Sequence, residues 1–137
     1  MKALSICEPW ASAIVSGKKN TECRNWQTHF RGEFLIHTSK RYDGSAPGWL
    51  KQLYPLENCK LGFIIGKATL LDVHEYTSDR EFEADAHFHL CKWTPEELGD
   101  DLVEYSRYGF IIIDAKPIEP IQAKGALNFW NFTGVLK

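Results

Sequence analysis

Gly17-Lys18-Lys19-Asn20-Thr21-Glu22-Cys23-Arg24-Asn25-Trp26 is the most informative stretch of this chain. Just upstream, Trp10, Ala11, Ile14 and Val15 recur at helical spacing behind Pro9, a residue suited to a first helical position. Gly17 can end that helix in the left-handed conformation. Lys18 and Lys19 then stand at the helix end, where the dipole favours cations. Thr21 to Trp26 alternates and reads as a strand, so Glu22, Arg24 and Trp26 point to one side. An acid, a base and an indole in one row suit a nucleotide. Arg and Lys can hold phosphate, Trp can stack on a base, and Glu can accept from an exocyclic amine or a ribose hydroxyl. The same row also fits an ion pair on a solvated face, with Trp26 in the core.

Around this segment the pattern is that of an α+β chain. Lys2 to Ile6 reads as an opening strand and Gly32 to Thr38 as a stronger one. Tyr42 to Pro55 is loop, with a helical turn around Trp49 to Leu53. Leu61 to His74 is the longest β-like run, and Gly62 and Gly66 mark bulges where a small barrel bends. Ser78-x-x-Glu81 is a capping box that opens a helix carrying Phe82, Ala86, Leu90 and Trp93 on one side. Thr94-Pro95-Glu96-Glu97 is a second such box. Tyr108 to Asp114 is a strand extending towards Pro120, and Leu127 to Leu136 fits either strand or loop. Five to six strands with irregularly placed helices do not suit a doubly wound sheet. They suit a closed or nearly closed small β-barrel with helices covering its ends.

At 137 residues and 44% hydrophobic, the chain is long and apolar enough for one domain with its own core, spanning 1–137. No apolar run approaches the roughly 20 residues of a membrane span, and the N-terminus lacks a signal-peptide pattern, so a cytoplasmic location is expected. Cys7, Cys23, Cys59 and Cys91 are scattered and read as free thiols. The net charge of −2 conceals a division. Residues 1–41 carry seven Lys and Arg against three acids, and residues 72–104 carry eleven acids against Arg80 and Lys92. One end can present a basic surface and the other an acidic surface for a protein partner.

Ser5-Ile6-x-x-Pro9-Trp10-Ala11, Ile14-x-x-Gly17-x-Lys19-x-x-Glu22-x-Arg24-x-Trp26, Phe30-Arg31-Gly32 and Leu35-Ile36-His37-x-Ser39-Lys40 together resemble the ASCH domain family. The likeness is to the branch that holds the C-terminal domain of activating signal cointegrator 1. Pro120-Ile121-x-x-Lys124-Gly125-Ala126-Leu127-x-Phe129-Trp130 resembles the segment that closes the barrel in that family. The two motifs bracket one domain, and residues 72–107 carry little of the likeness.

The resemblance implies a PUA-like barrel with a cleft beside its first helix that binds RNA, single-stranded nucleic acid or a nucleotide. Carried over by position, the ligand-binding residues are Trp10, Lys19, Glu22, Arg24, Trp26, Arg31, His37, Ser39, Lys40, Lys124 and Trp130. It also implies an alternative, a hydrolase acting on a modified nucleoside or on RNA, with Lys19 and Glu22 as its catalytic residues. Some members hydrolyse acetylated cytidine with a Lys and a Thr. Lys19 matches that Lys, but Glu22 occupies the Thr position, and Thr21 faces the other way.

His87-x-His89-x-Cys91 resembles a ligand set, but on a helix only His87 and Cys91 lie close together, so no metal site and no cofactor are expected. Cys23 is expected to face away from Glu22 and Arg24 into the core. No nucleophile elbow, phosphate-cradling loop or dinucleotide fingerprint is present.

Overall fold

Buried and half-buried residues alternate from Phe63 to Leu70, the period-2 pattern of a strand with a core on one side. This strand, β4 (Phe63–Glu75), pairs antiparallel with β3 (Gly32–Tyr42) and with β5 (Tyr108–Gln122). The computed structural model describes residues 1–91 and 106–136. β1 (Lys2–Glu8) lies parallel to β3 and antiparallel to the short β6 (Phe129–Asn131). β2 (Thr21–Arg24) pairs antiparallel with β5, giving one mixed six-stranded sheet in the order β2-β5-β4-β3-β1-β6.

The sheet is not closed by backbone hydrogen bonds; side chains close the seam. Phe129 on β6 meets Phe110 on β5 with ring centroids 6.1 Å apart, Phe34 on β3 at 5.5 Å, Phe30 at 4.9 Å and Trp26 at 6.1 Å. Trp26 in turn stands edge-on to Phe110 at 5.1 Å. Arg24 reaches across from β2 and donates through Nη2 to the Ser5 carbonyl of β1 at 3.0 Å. The expected small barrel is thus present, with an aromatic and guanidinium seam in place of a continuous ladder.

Gly66 is where β4 bends, as its sequence position suggests. The ladder to β3 slips between Ile64 and Gly66, leaving Ile65 as the extra residue, and at the same point the ladder to β5 slips from Ile121 to Pro117, with its extra residues on β5. A Cβ at Gly66 would lie 2.6 Å from Val15 Cγ2 and 3.0 Å from the Lys116 carbonyl, so only Gly admits the helix packed there. That helix is α1 (Trp10–Val15). Its first turn is held by Glu8, which accepts from Ser12 N at 2.7 Å and from Ser12 Oγ. It ends at Gly17, which has a φ of +84°.

α2 (Gly48–Leu53) is the expected turn in the 42–55 loop and buries Leu50. The helix expected from Ser78 onwards is broken. Ser78 does accept from Glu81 N at 3.2 Å, but α3 (Asp79–Ala84) stops at Asp85 and a separate turn, α4 (Ala86–His89), follows. The break lets His89 stack on Phe82 with centroids 4.0 Å apart. In one straight helix residues seven apart are offset by about 10 Å along the axis, so stacking requires the second turn to fold back. Trp93 and the Thr94–Glu97 box lie outside the described residues. No helix among the described residues is long and apolar enough to cross a membrane.

Candidate functional site

The structure divides the residues singled out in the sequence between two places. The first is a buried ionic centre beneath α1. The Gly17 turn returns the chain so that Lys19 N donates to the Ala13 carbonyl, and the Lys19 side chain points inwards, with only 1% of the residue exposed. Its ammonium donates to the His89 carbonyl and to Cys91 Sγ at 3.4 Å, lies 3.6 Å from Glu22 Oε1, and sits 4.9 Å from the centre of the Trp10 ring. Glu22 also pairs with Arg24 at 2.9 Å, and Arg24 lies over Trp26 at 5.9 Å. Burial alone would lower the Lys19 pKa, but Cys91 and Glu22 outweigh it and hold the ammonium above its ordinary value.

Lys19, Glu22, Arg24, Trp10 and Trp26 therefore do converge, but as a packed cluster. Lys19 does not reach outwards from the helix end. Trp26 is part of the aromatic seam and not an open stacking plate. One face of Trp10 is taken by Lys19, and its Nε1 donates to Asp43 at 2.9 Å. Arg31 joins neither place; it is exposed, donates to the Thr28 and Phe30 carbonyls and pairs with Asp72 at 3.3 Å. Cys23, expected in the core, faces Cys91 at 3.3 Å between the sulfurs. His87 is exposed against Phe88 and takes no part. The His and Cys that do meet are Cys23, His89 and Cys91, whose donor atoms lie within 4.8 Å of one another.

The second place is a cleft of about 490 Å³ on the outer face of β1 and β3. Ser5, His37, Ser39, Lys40, Gly62, Ala123, Lys124, Gly125, Ala126 and Leu127 line it, with two lysines and no carboxylate among them. Its floor is a hydrogen-bonded relay. Trp130 Nε1 donates to Ser5 Oγ at 3.0 Å, Ser5 Oγ donates to His37 Nδ1 at 2.9 Å, and His37 Nε2 donates to the Ala123 carbonyl at 2.7 Å. Trp130 also stands edge-on to His37 at 5.3 Å. Thr38, wholly buried, donates to the Lys60 carbonyl at 2.6 Å and accepts from Phe63 N at 3.1 Å, anchoring the adjoining turn. Ala123 N donates to the Gly62 carbonyl, which joins the two walls. Lys40 and Lys124 are exposed on this lining. Ser39 sits between them and Cys7, to which its hydroxyl donates at 3.3 Å.

Gly125 is the close approach in this cleft. A Cβ there would lie 2.5 Å from Ser5 Oγ and 2.7 Å from His37 Cε1. His37, Ser39, Lys40, Lys124 and Trp130 were all legible as candidates. Ser5 and the neighbours of Lys124 in the turn from Ala123 to Leu127 were not assigned, although both lie inside the motifs that carried the resemblance.

Burial lowers the His37 pKa below its ordinary 6.5, only partly opposed by the Ala123 carbonyl. Below that value the unfolded chain binds a proton that the fold resists. The stability His37 contributes is therefore full above the ordinary value and falls as the pH drops through it. Denaturant midpoints measured from about pH 7 to pH 5 should decline, and His37→Gln should flatten that part of the profile. An identical slope in the variant would remove His37 as the cause.

A barrel sealed by side chains, with a lysine-rimmed cleft on its outer face, defines an α+β protein of the PUA-like class. The ASCH domain family matches residues 4–122, and this chain belongs to that family. Mouse activating signal cointegrator 1 is 32% identical over 112 aligned residues, taking in 69% of this chain. The chain spans only 19% of that relative's length. An ASCH protein from Zymomonas mobilis superposes with a TM-score of 0.58 at 19% identity, over 88% of this chain and 72% of that one. A single-substitution variant of the same protein gives 0.57 at 18% identity, over 88% and 74%. These solved structures show the shared fold. The PUA-like fold of this family is associated with RNA binding.

Proposed function

We propose that the protein binds RNA, single-stranded nucleic acid or a nucleotide in the cleft lined by Ser5, His37, Ser39, Lys40 and the Ala123–Leu127 turn. The observation that carries this reading is the charge of the lining: Lys40 and Lys124 are exposed on a concave surface that holds no acid. Two ammonium groups beside a polar floor suit a phosphate and its attached nucleoside, and the cleft has the volume of a small-ligand site. Overall the chain is slightly acidic, which favours a short single-stranded ligand over a long duplex. The hydrolase alternative places Lys19 and Glu22 as reacting groups. Here the Lys19 ammonium is committed to the His89 carbonyl, Cys91 and Glu22, and binding is the stronger reading.

A protein partner on the acidic side is less well supported. Among the described residues, Asp72 pairs with Arg31 and Glu75 with Arg107, so part of that charge is neutralised internally. Residues 92–105, which hold five of the eleven acids, lie outside the described residues.

Fluorescence anisotropy with short single-stranded RNA and DNA tests the proposal. Binding should weaken as salt rises from about 50 to 200 mM, because phosphate contacts release counterions. Lys40→Glu with Lys124→Glu should weaken it at every salt and reduce the salt slope by about one per lysine. Arg31→Ala should leave it unchanged. Equal binding by the double variant would remove this cleft as the site.

A further inference from the structure

The buried centre holds two thiols that neither the fold nor the cleft requires. Cys91 follows α4, where Leu90 takes the left-handed conformation at a φ of +60° and turns the chain back. Cys91 Sγ then lies 3.3 Å from Cys23 Sγ on β2 and 3.4 Å from the Lys19 ammonium. The two cysteines are 68 residues apart in sequence, and both are half-buried free thiols.

A metal ion does not fit this cluster. His89 Nε2 donates to the Phe82 carbonyl at 2.7 Å, Nδ1 accepts from Cys91 N at 2.9 Å, and the ring is stacked on Phe82. Both ring nitrogens are therefore in use. A cation would also be set against a buried ammonium that itself cannot leave. The same ammonium favours an anion, and the nearest group able to become one is the Cys91 thiol.

We propose that Cys91 and Cys23 form an oxidisable dithiol, in which Cys91 reacts with a hydroperoxide and Cys23 resolves the product as an intramolecular disulfide. In the first step the Cys91 thiolate attacks one peroxide oxygen. The S–O bond forms, the O–O bond breaks, and hydroxide leaves, giving a sulfenic acid. In the second step the Cys23 sulfur attacks Cys91 Sγ. The S–S bond forms, the S–O bond breaks, and the departing hydroxide takes the Cys23 proton as water. Two thiols lose two electrons in all and the peroxide is reduced. A disulfide needs the sulfurs at about 2.05 Å, so they must close by roughly 1 Å, a movement within reach of the short α4 turn.

The electrostatics agree with these roles. Its hydrogen bond with Cys23 and the Lys19 charge hold Cys91 well below the ordinary thiol range. The same hydrogen bond, together with burial, holds Cys23 above it. Cys59, elsewhere in the chain, is pushed up to about 12, first by burial and then by Glu8. Oxidation would remove the sulfur anion beside Lys19 and tie β2 to the end of α4.

The test treats the reduced, folded protein with hydrogen peroxide, alkylates the remaining thiols and maps the peptides by mass. The expected product links the Cys23 and Cys91 peptides within one chain, with Cys7 and Cys59 still alkylated. Cys23→Ser should stop at a sulfenic acid on Cys91 that dimedone traps. Lys19→Met should slow Cys91 oxidation about tenfold or more. If that variant does not fold, the wild-type map and Cys23→Ser decide the matter. Oxidation of Cys7 or Cys59 ahead of Cys91 would overturn the proposal. So would the absence of a Cys23–Cys91 link in protein that remains folded.

Discussion

Lys19→Ala is expected to destabilise the protein by about 3–5 kcal/mol, because it breaks a buried ionic cluster and leaves a cavity. The Lys19 side chain is fully covered, and three groups depend on it: the His89 carbonyl, Cys91 and Glu22. Removing it leaves the carbonyl with the weak Cys91 Sγ donor at 3.2 Å and Glu22 with Arg24. Lys19→Met keeps most of the stem and restores packing without charge, so it should fall between wild type and Ala. Urea denaturation at neutral pH measures both, with a shifted midpoint and unchanged slope as the signature of lost native stability. A loss below about 1 kcal/mol for the Ala variant would mean the ammonium is not holding the centre together.

Phe129→Ala is expected to cost about 3–4 kcal/mol, and its damage should be localised. Phe129 lies on a three-residue strand whose backbone, among the described residues, pairs with β1 alone, yet its ring touches Trp26, Phe30, Phe34 and Phe110. Its ring joins the two ends of the sheet, alongside the Arg24 link to the Ser5 carbonyl. Without it Trp26 loses an edge contact at the seam, and its fluorescence should shift to the red in the native state. Val135→Ala, at a position 84% exposed, is the control and should change stability by no more than about 0.5 kcal/mol. Equal effects at the two positions would show that the seam is not closed by this ring.

The longer strands were legible because each carries a run of buried apolar residues. That run alternates in Phe63–Leu70, and it is continuous in Phe34–Thr38 and from Tyr108 to Phe110, where β3 is covered on both faces. The stop at Gly17 and the bend at Gly66 were legible because each needs what only Gly supplies. The break at Asp85 was not, because Phe82, Ala86 and Leu90 satisfy helical spacing whether or not the axis continues. What decides it is the tertiary stacking of His89 on Phe82 and the hydrogen bond from Tyr76 OH to Asp85 at 2.7 Å.

The candidate residues were legible as a group but not in their arrangement, and Arg31 stands apart from both places. One row of alternating residues and one strand end were read as a single hollow. The Lys19–Glu22–Arg24 row turned inwards to seal the barrel, while His37, Ser39 and Lys40 line a separate cleft. Local spacing gives the side of a strand on which a residue lies. It does not say whether that side faces solvent or another element. Cys91 beside Cys23 is the extreme case, since a separation of 68 positions leaves no local trace of the contact.

The cleft is tested most directly by backbone amide NMR shifts on titration with a short single-stranded RNA. Binding at the lysine-rimmed cleft predicts shifts concentrated at Ser5, His37 to Lys40 and Ala123 to Leu127, with Arg31 and Lys18 still. Shifts confined to Lys18, Arg31 and their neighbours, with the Ala123–Leu127 turn unmoved, would contradict it.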